Sequence, residues 1–241
     1  MDADKQNAVE QPHSGHRERV RNLFLESGLD GFSDHNILEL LLFYTIPKRD
    51  TNVIAHDLID RFGSLRRVLD AKPEELCSVK GMGMYTATFL SILPQLARRY
   101  CISESRQKHA IKIEDQEAVE TYLRSRFIGE SQECIYMLAF GNDGQMTGCT
   151  KVTTGSLSKI RFDGRAIVEA AFRMGAVSAV LSHNHPGGVA APSQDDVDTT
   201  KIVANTLSAC NIHLVDHIIF AGDECFHMAS HINFHTIFFK I

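Results

Sequence analysis

From residue 17 to residue 102 the apolar positions recur at helical spacing, interrupted by glycine and proline. This pattern predicts a helix over 17–27 closed by Gly28, and one over 34–45 capped by Ser33 and stopped by Pro47. The second has Leu38, Leu41 and Leu42 at core spacing. Further helices are predicted over 51–62 (closed by Gly63), 64–70 and 73–79. After Lys80-Gly81-Met82-Gly83 comes a long helix over 84–100, which Pro94 should bend. Residues 1–16 are polar and aperiodic and are expected to form a loose tail. The polar stretch 103–114 reads as a linker, with a helix over 115–127 beyond it.

After residue 130 the period changes. Residues 134–140 are a continuous apolar run of strand length, as in a strand buried on both faces. Asn142-Asp143-Gly144 signals a turn, and 146–154 reads as the next strand. Asp163 is placed to cap a helix over 164–174 closed by Gly175, and 177–182 is another buried strand. A helix over 194–210 and strands near 212–221 and 225–229 follow. Helices alone, then strands alternating with helices, argue an all-α N-terminal domain followed by an α/β domain. The expected division is a tail at 1–16, a helical domain at 17–106 and the α/β domain at 107–241.

The 241 residues are 44% hydrophobic and 23% charged, which excludes a mostly disordered chain. Lys and Arg number 25 against 30 Asp and Glu, a formal charge of −5. Neither the first 106 residues nor the rest carries the basic excess of a protein that holds DNA mainly through phosphates. The N-terminus lacks the apolar core of a signal peptide, and the longest apolar run, 37–46, contains Glu39 and is too short to span a membrane. The six cysteines are far apart with no CxxC pair, so they are expected to be reduced thiols rather than a zinc-binding set. A cytoplasmic protein without membrane contact is expected.

The informative segment is His183-Asn184-His185-Pro186-Gly187-Gly188, followed by Ser193 and Asp196. Two histidines two apart, directly after a buried strand, point to one side about 6–7 Å apart along the backbone. Pro186 and the glycines turn the chain at once. Asp196, in the first turn of the next helix, can then return a carboxylate to the same point. Two imidazoles and one carboxylate leave a tetrahedral zinc one open position, the arrangement of a catalytic site. The competing reading is a loop whose histidines merely satisfy hydrogen bonds.

These residues resemble the JAMM (MPN+) metalloprotease motif, and the whole chain is similar to the bacterial RadC, or UPF0758, family. The resemblance covers the helical N-terminal part, Gly81-Met82-Gly83, Gly155-Ser156-Leu157, the helix after Asp163, the SHNHPGG segment and Asp216-His217-Ile218. It implies a JAB/MPN-like α/β domain with a mixed sheet, binding one Zn2+ per chain through His183, His185 and Asp196. It further implies hydrolysis of a peptide or isopeptide bond in a protein or peptide substrate. Such chemistry needs a proton acceptor, which JAMM enzymes carry at the start of the first strand. Glu133 matches that position, with Glu169 as rival. Ser193 matches the motif serine that donates to the oxyanion, and it is equally suited to cap the following helix. Two departures stand out. Gly187 replaces a usual serine, and Lys151 stands where many relatives have an acid.

His217, beside Asp216, is the histidine best suited to support a ligand from behind. His213 and His227 are expected to be packed imidazoles. Residues 76–87 resemble a helix-hairpin-helix, an element that the family resemblance also implies. Amides beyond Gly81 and Gly83, with Lys80, would contact a DNA backbone phosphate, whereas the plain alternative is a tight turn or a protein-docking hairpin. A second functional reading follows, a DNA-repair or recombination accessory protein whose metal domain is structural or binds a partner. A zinc-dependent nuclease ranks third.

Overall fold

A computed structural model describes residues 15–108, 111–154 and 164–239. Most of the expected tail, Gly155-Ser156-Leu157 and the Asp163 cap lie outside the described residues. The chain divides into two compact units, Met1–Pro94 and Gln95–Ile241.

The first unit holds α1 (His16–Ser27), α2 (Asp34–Thr45), α3 (Thr51–Phe62), α4 (Leu65–Asp70), α5 (Pro73–Leu76) and the start of α6 (Met84–Lys108). Leu38 and Leu42 of α2, Leu58 of α3, Val68, Leu76 and Leu90 form its core. Capping explains several boundaries. Asp50 accepts from the Asn52 amide at the start of α3, Ser64 accepts from Arg67 N before α4, and Gly63 closes α3 at φ +88°. α1 buries no residue of its own. It is anchored by Arg17, whose guanidinium donates to the carbonyl oxygens of Ile46 at 2.8 Å and Arg49 at 2.6 Å.

The chain divides at Pro94, inside α6, which runs through the proline. Residues 103–108, read from composition as linker, continue this helix. They contain no glycine or proline, and Glu, Arg, Gln and Lys propagate a helix already begun.

The second unit adds α7 (Gln116–Arg126), β1 (Cys134–Phe140), β2 (Met146–Thr154), α8 (Gly164–Arg173), β3 (Ser178–Asn184), α9 (Gln194–Ser208), β4 (His213–Ala221) and β5 (Glu224–His227). The strands form a mixed five-stranded sheet in the order β2-β1-β3-β4-β5, with β3 and β4 parallel and the other pairs antiparallel. β1 is buried throughout. Its Ile135 and Met137 face the core shared with α8 and α9, whereas Tyr136, Leu138 and Phe140 face the one shared with α7. The fold is thus helices followed by a mixed α/β layer structure, as the pattern change near residue 130 predicts. Among the described residues no helix is long and apolar enough to cross a membrane.

β3 extends to Asn184, two residues past the expected end, so His183 lies within the sheet. The register of β3 against β4 slips between Ala179 and Val180, where Val215 is passed over. This bulge reverses the facing of β4. Leu214 packs toward α9, and beyond the bulge Ile219 does so too, with Ile218 and Phe220 turned to α7. His217 shares a face with Ile219, and Asp216 with Ile218, by strand alternation.

Candidate metal centre

His183 is the penultimate residue of β3 and is fully enclosed. His185 follows it, its amide donating to Phe220 O at 2.8 Å. The chain then turns through Pro186 and Gly187, the latter at φ +71°, where a side chain is strained. It re-enters the fold at Ser193, the N-cap of α9. Asp196, three residues on and 1% exposed, turns its carboxylate back over the cap. Its Oδ2 accepts from Ser193 N at 2.7 Å and from Ser193 Oγ at 2.6 Å. The positive end of α9 favours this carboxylate further.

Three heteroatoms converge. His183 Nε2 is 2.8 Å from His185 Nε2 and 3.1 Å from Asp196 Oδ1, and His185 Nε2 is 3.5 Å from Asp196 Oδ2. The hydrogen bonds behind the rings fix which nitrogens carry protons. His185 Nδ1 is 2.9 Å from Val189 O, a pure acceptor, so it holds the hydrogen. Thr200 Oγ1 donates to Asp196 O at 2.5 Å and so accepts from His217 Nδ1 at 2.6 Å. His217 Nε2 is left as an acceptor for His183 Nδ1–H at 2.8 Å. Burial holds the His217 pKa well below its ordinary value, which keeps this ring neutral. In the neutral tautomers both histidine Nε2 lone pairs therefore face one another and an Asp196 oxygen. Three acceptors aimed at one point call for a cation, and two imidazoles with a carboxylate suit a divalent metal of the zinc class. Without one, a proton serves. The hydrogen bond to Asp196 raises the His185 pKa. Burial opposes ionisation of Asp196, but the bonds from His183, His185 and Ser193 outweigh it and hold this carboxyl well below the usual carboxylate range.

Glu133 reaches the same cluster. Ile135 pairs with His183, so continuing the register two residues beyond the ladder sets Glu133 opposite His185. Its carboxylate lies within 4.8 Å of the ligand atoms of His183, His185 and Asp196. Asn184 holds the backbone around it, its Oδ1 accepting from Cys134 N at 2.8 Å and its Nδ2 donating to Gln132 O at 3.1 Å. The neighbouring thiol of Cys134 is not a nucleophile, because burial and Glu130 push its pKa up to about 12.

Residues 113–233 match the RadC-like JAB domain family, and residues 13–88 match the UPF0758 N-terminal family. The chain is 32% identical over 222 residues to a UPF0758 protein of Fusobacterium nucleatum, covering 90% of this chain and 96% of that one. It is also 32% identical over 209 residues to a UPF0758 protein of Paraburkholderia xenovorans, covering 87% and 82%. The chain belongs to the RadC (UPF0758) family.

In this RadC-family chain the other sequence-derived candidates fall outside the cluster. Glu169 lies on the exposed face of α8, paired with Arg165 at 2.8 Å. Lys151 Nζ, on β2, pairs with Glu130 Oε2 at 2.8 Å. Ser193 caps α9 and directs its hydroxyl at Asp196. His217 stands behind His183. In the N-terminal unit, Gly81 adopts φ +96°, and a Cβ there would meet Ile54 Cδ1 at 2.8 Å, whereas Gly83 has open space around it. Turn geometry thus accounts for Gly81. Lys80 is exposed and lines an open depression with Asp57, Asp60 and Arg61, two acids offsetting two bases.

Asn184, Val189 and Thr200 escaped the sequence reading. Asn184 and Val189 act on or through backbone, and Thr200 reads as one more polar position on α9. The one available signal was the position of Asn184 between the two histidines, where strand alternation turns it to the opposite face, toward the start of β1.

Proposed function

We propose that this RadC-family protein is a zinc-dependent amide hydrolase acting on a peptide or isopeptide bond. The observation that carries the reading is the convergence of His183 Nε2, His185 Nε2 and an Asp196 oxygen, their outer hydrogen bonds spent elsewhere, beside the Glu133 carboxylate. These three residues would hold the zinc. When bound, such an ion supplies Lewis acidity and lowers the pKa of water toward about 7.

The remaining work falls to the chain. Glu133 accepts a proton from the attacking water and returns it to the leaving amine, a transfer worth roughly 10²- to 10⁴-fold in rate. Asn184 keeps Glu133 at the start of β1 by clamping the peptide groups on either side. Ser193 is the oxyanion donor, its hydroxyl turning from Asp196 Oδ2 to the developing negative charge.

The test is hydrolysis of a panel of peptide and isopeptide substrates by zinc-loaded protein, with Glu133→Gln and the His183→Ala/His185→Ala double variant as controls. Glu133→Gln is expected to keep its zinc and lose about 10²-fold or more of the rate. The double variant should lose both zinc and activity. Full activity in zinc-loaded Glu133→Gln, or zinc retained at this site in the double variant, overturns the reading.

A further inference from the structure

Across the sheet from the candidate metal centre lies a second group of metal-ligating side chains. Cys225 and His227 stand two apart on β5 and so project to one side, opposite Glu120 of α7. Glu120 Oε1 is 3.0 Å from His227 Nε2, Cys225 Sγ is 3.3 Å from Glu120 Oε2, and Cys225 Sγ is 3.9 Å from His227 Nε2. Ligand atoms around a tetrahedral zinc stand about 3.3–3.6 Å apart, given bonds of about 2.0–2.3 Å. Behind the ring, His227 Nδ1 is held by Asp216 Oδ2 at 2.7 Å, and Asp216 Oδ1 is fixed by the amides of His217 at 2.7 Å and Ala229 at 2.9 Å. A buried carboxylate on the outer nitrogen is how metal-binding histidines are oriented.

We propose that Glu120, Cys225 and His227 form a second cation site, for a thiophilic divalent metal of the zinc class, with Asp216 orienting His227. Glu120 and His227 are respectively 28% and 12% exposed, so the cluster opens to solvent, with the Gln116 side-chain amide 3.3 Å from His227 Nε2 at its edge. The order Cys225, His227, Asp216 also resembles a nucleophile, a base and its orienting acid. The Glu120 carboxylate argues against that role, because it takes the thiol's hydrogen bond and also occupies His227 Nε2. A dication that binds the Cys225 sulfur displaces the thiol proton. Two carboxylates, Glu120 and Asp216, outnumber the one arginine that acts on Cys225, Arg124, and leave the pocket with an excess of negative charge while His227 is neutral.

The sulfur ligand makes the site separately observable. His183, His185 and Asp196 supply no sulfur, so thiolate-to-metal charge-transfer absorption on titrating the full chain with Co2+ or Cd2+ reports a cysteine ligand, and its loss in Cys225→Ser assigns it among the six free cysteines to the second cluster. That absorption is expected to saturate near about one equivalent, to vanish in Cys225→Ser and to need at least about tenfold more metal in Glu120→Gln. It should persist in the His183→Ala/His185→Ala variant. Absence of the band in the parent protein with metal in excess overturns the proposal, as does a full-strength band in Cys225→Ser. If Cys225→Ser fails to fold by circular dichroism, the near-isosteric Glu120→Gln decides, and an undiminished affinity there overturns it.

Discussion

His183 cannot be a fixed ligand on its own, because an imidazole free to rotate or to move its proton presents a lone pair only part of the time. The relay from Asp196 O through Thr200 and His217 removes that freedom. Its loss should appear as metal affinity. His217→Ala is expected to weaken metal binding about 10- to 100-fold, and Thr200→Val should act in the same direction. Competition against a chromophoric chelator measures both, and unchanged affinity in His217→Ala would remove the relay from the account. Asn184→Ala should act differently, lowering turnover with metal affinity retained, because it loosens the segment carrying Glu133. At this scale the sequence was legible where chemistry follows spacing. His183, His185 and Asp196 stand close together in the chain, on either side of one turn between β3 and α9, and Glu133 precedes an apolar run. It was nearly silent where a residue acts on the backbone, as Asn184 does on Gln132 and Cys134, since strand alternation gives the face of an amide between two histidines but not the backbone groups it meets.

Helix ends and strand cores obey local rules, which is why α3, with its Gly63 stop, and β1, apolar from end to end, could be read directly. The bulge at Val215 could not. It exists only in the pairing of β4 with β3, yet it turns His217 to the face of His183 and Asp216 to the face of His227. A strand without it would exchange those two side chains. The turn before α6 yields to the opposite kind of argument, because its glycines have separable roles. Gly81→Ala must take a left-handed conformation and displace Ile54, so it is expected to cost at least about 1–2 kcal/mol. Gly83→Ala, in open space without positive φ, should stay within about 0.5 kcal/mol. Urea unfolding of the two variants separates them. Equal losses would mean that Gly83 is also structurally committed. For tests of DNA contact at this turn, Gly83 and Lys80 are therefore informative positions and Gly81 is not.

Across the whole molecule, stability and metal occupancy are linked, because a cation that binds only the folded chain stabilises it by mass action. Protons compete for the same atoms. The His185 pKa is raised from its ordinary 6.5 by Asp196, and the His227 pKa is raised because Asp216 and Glu120 outweigh burial. Without metal, both contribute stability that is complete below pH 6.5 and is lost as pH rises through their raised values. His217 opposes them. Its lowered pKa means that the unfolded chain takes up a proton below pH 6.5 that the native state refuses. The metal-free curve is a balance of these terms, so its slope alone identifies no ligand. The gap between metal-loaded and chelated protein does. Asp196 stays ionised throughout this range, which leaves histidine protons as the competitors at the first centre and the His227 and Cys225 protons at the second. Each displaced proton is worth about 1.4 kcal/mol per pH unit below the raised pKa, and nothing above it. The difference in Tm should therefore widen as pH rises from below 6.5; the share owed to the first centre levels off once the pH passes the raised His185 value, and the share owed to the second keeps widening while Cys225 is still a thiol. In the His183→Ala/His185→Ala variant the part of the gap owed to the first centre should disappear, leaving what the second cluster contributes. A gap that stays constant, or grows on acidification, would mean that metal binds through groups other than these imidazoles.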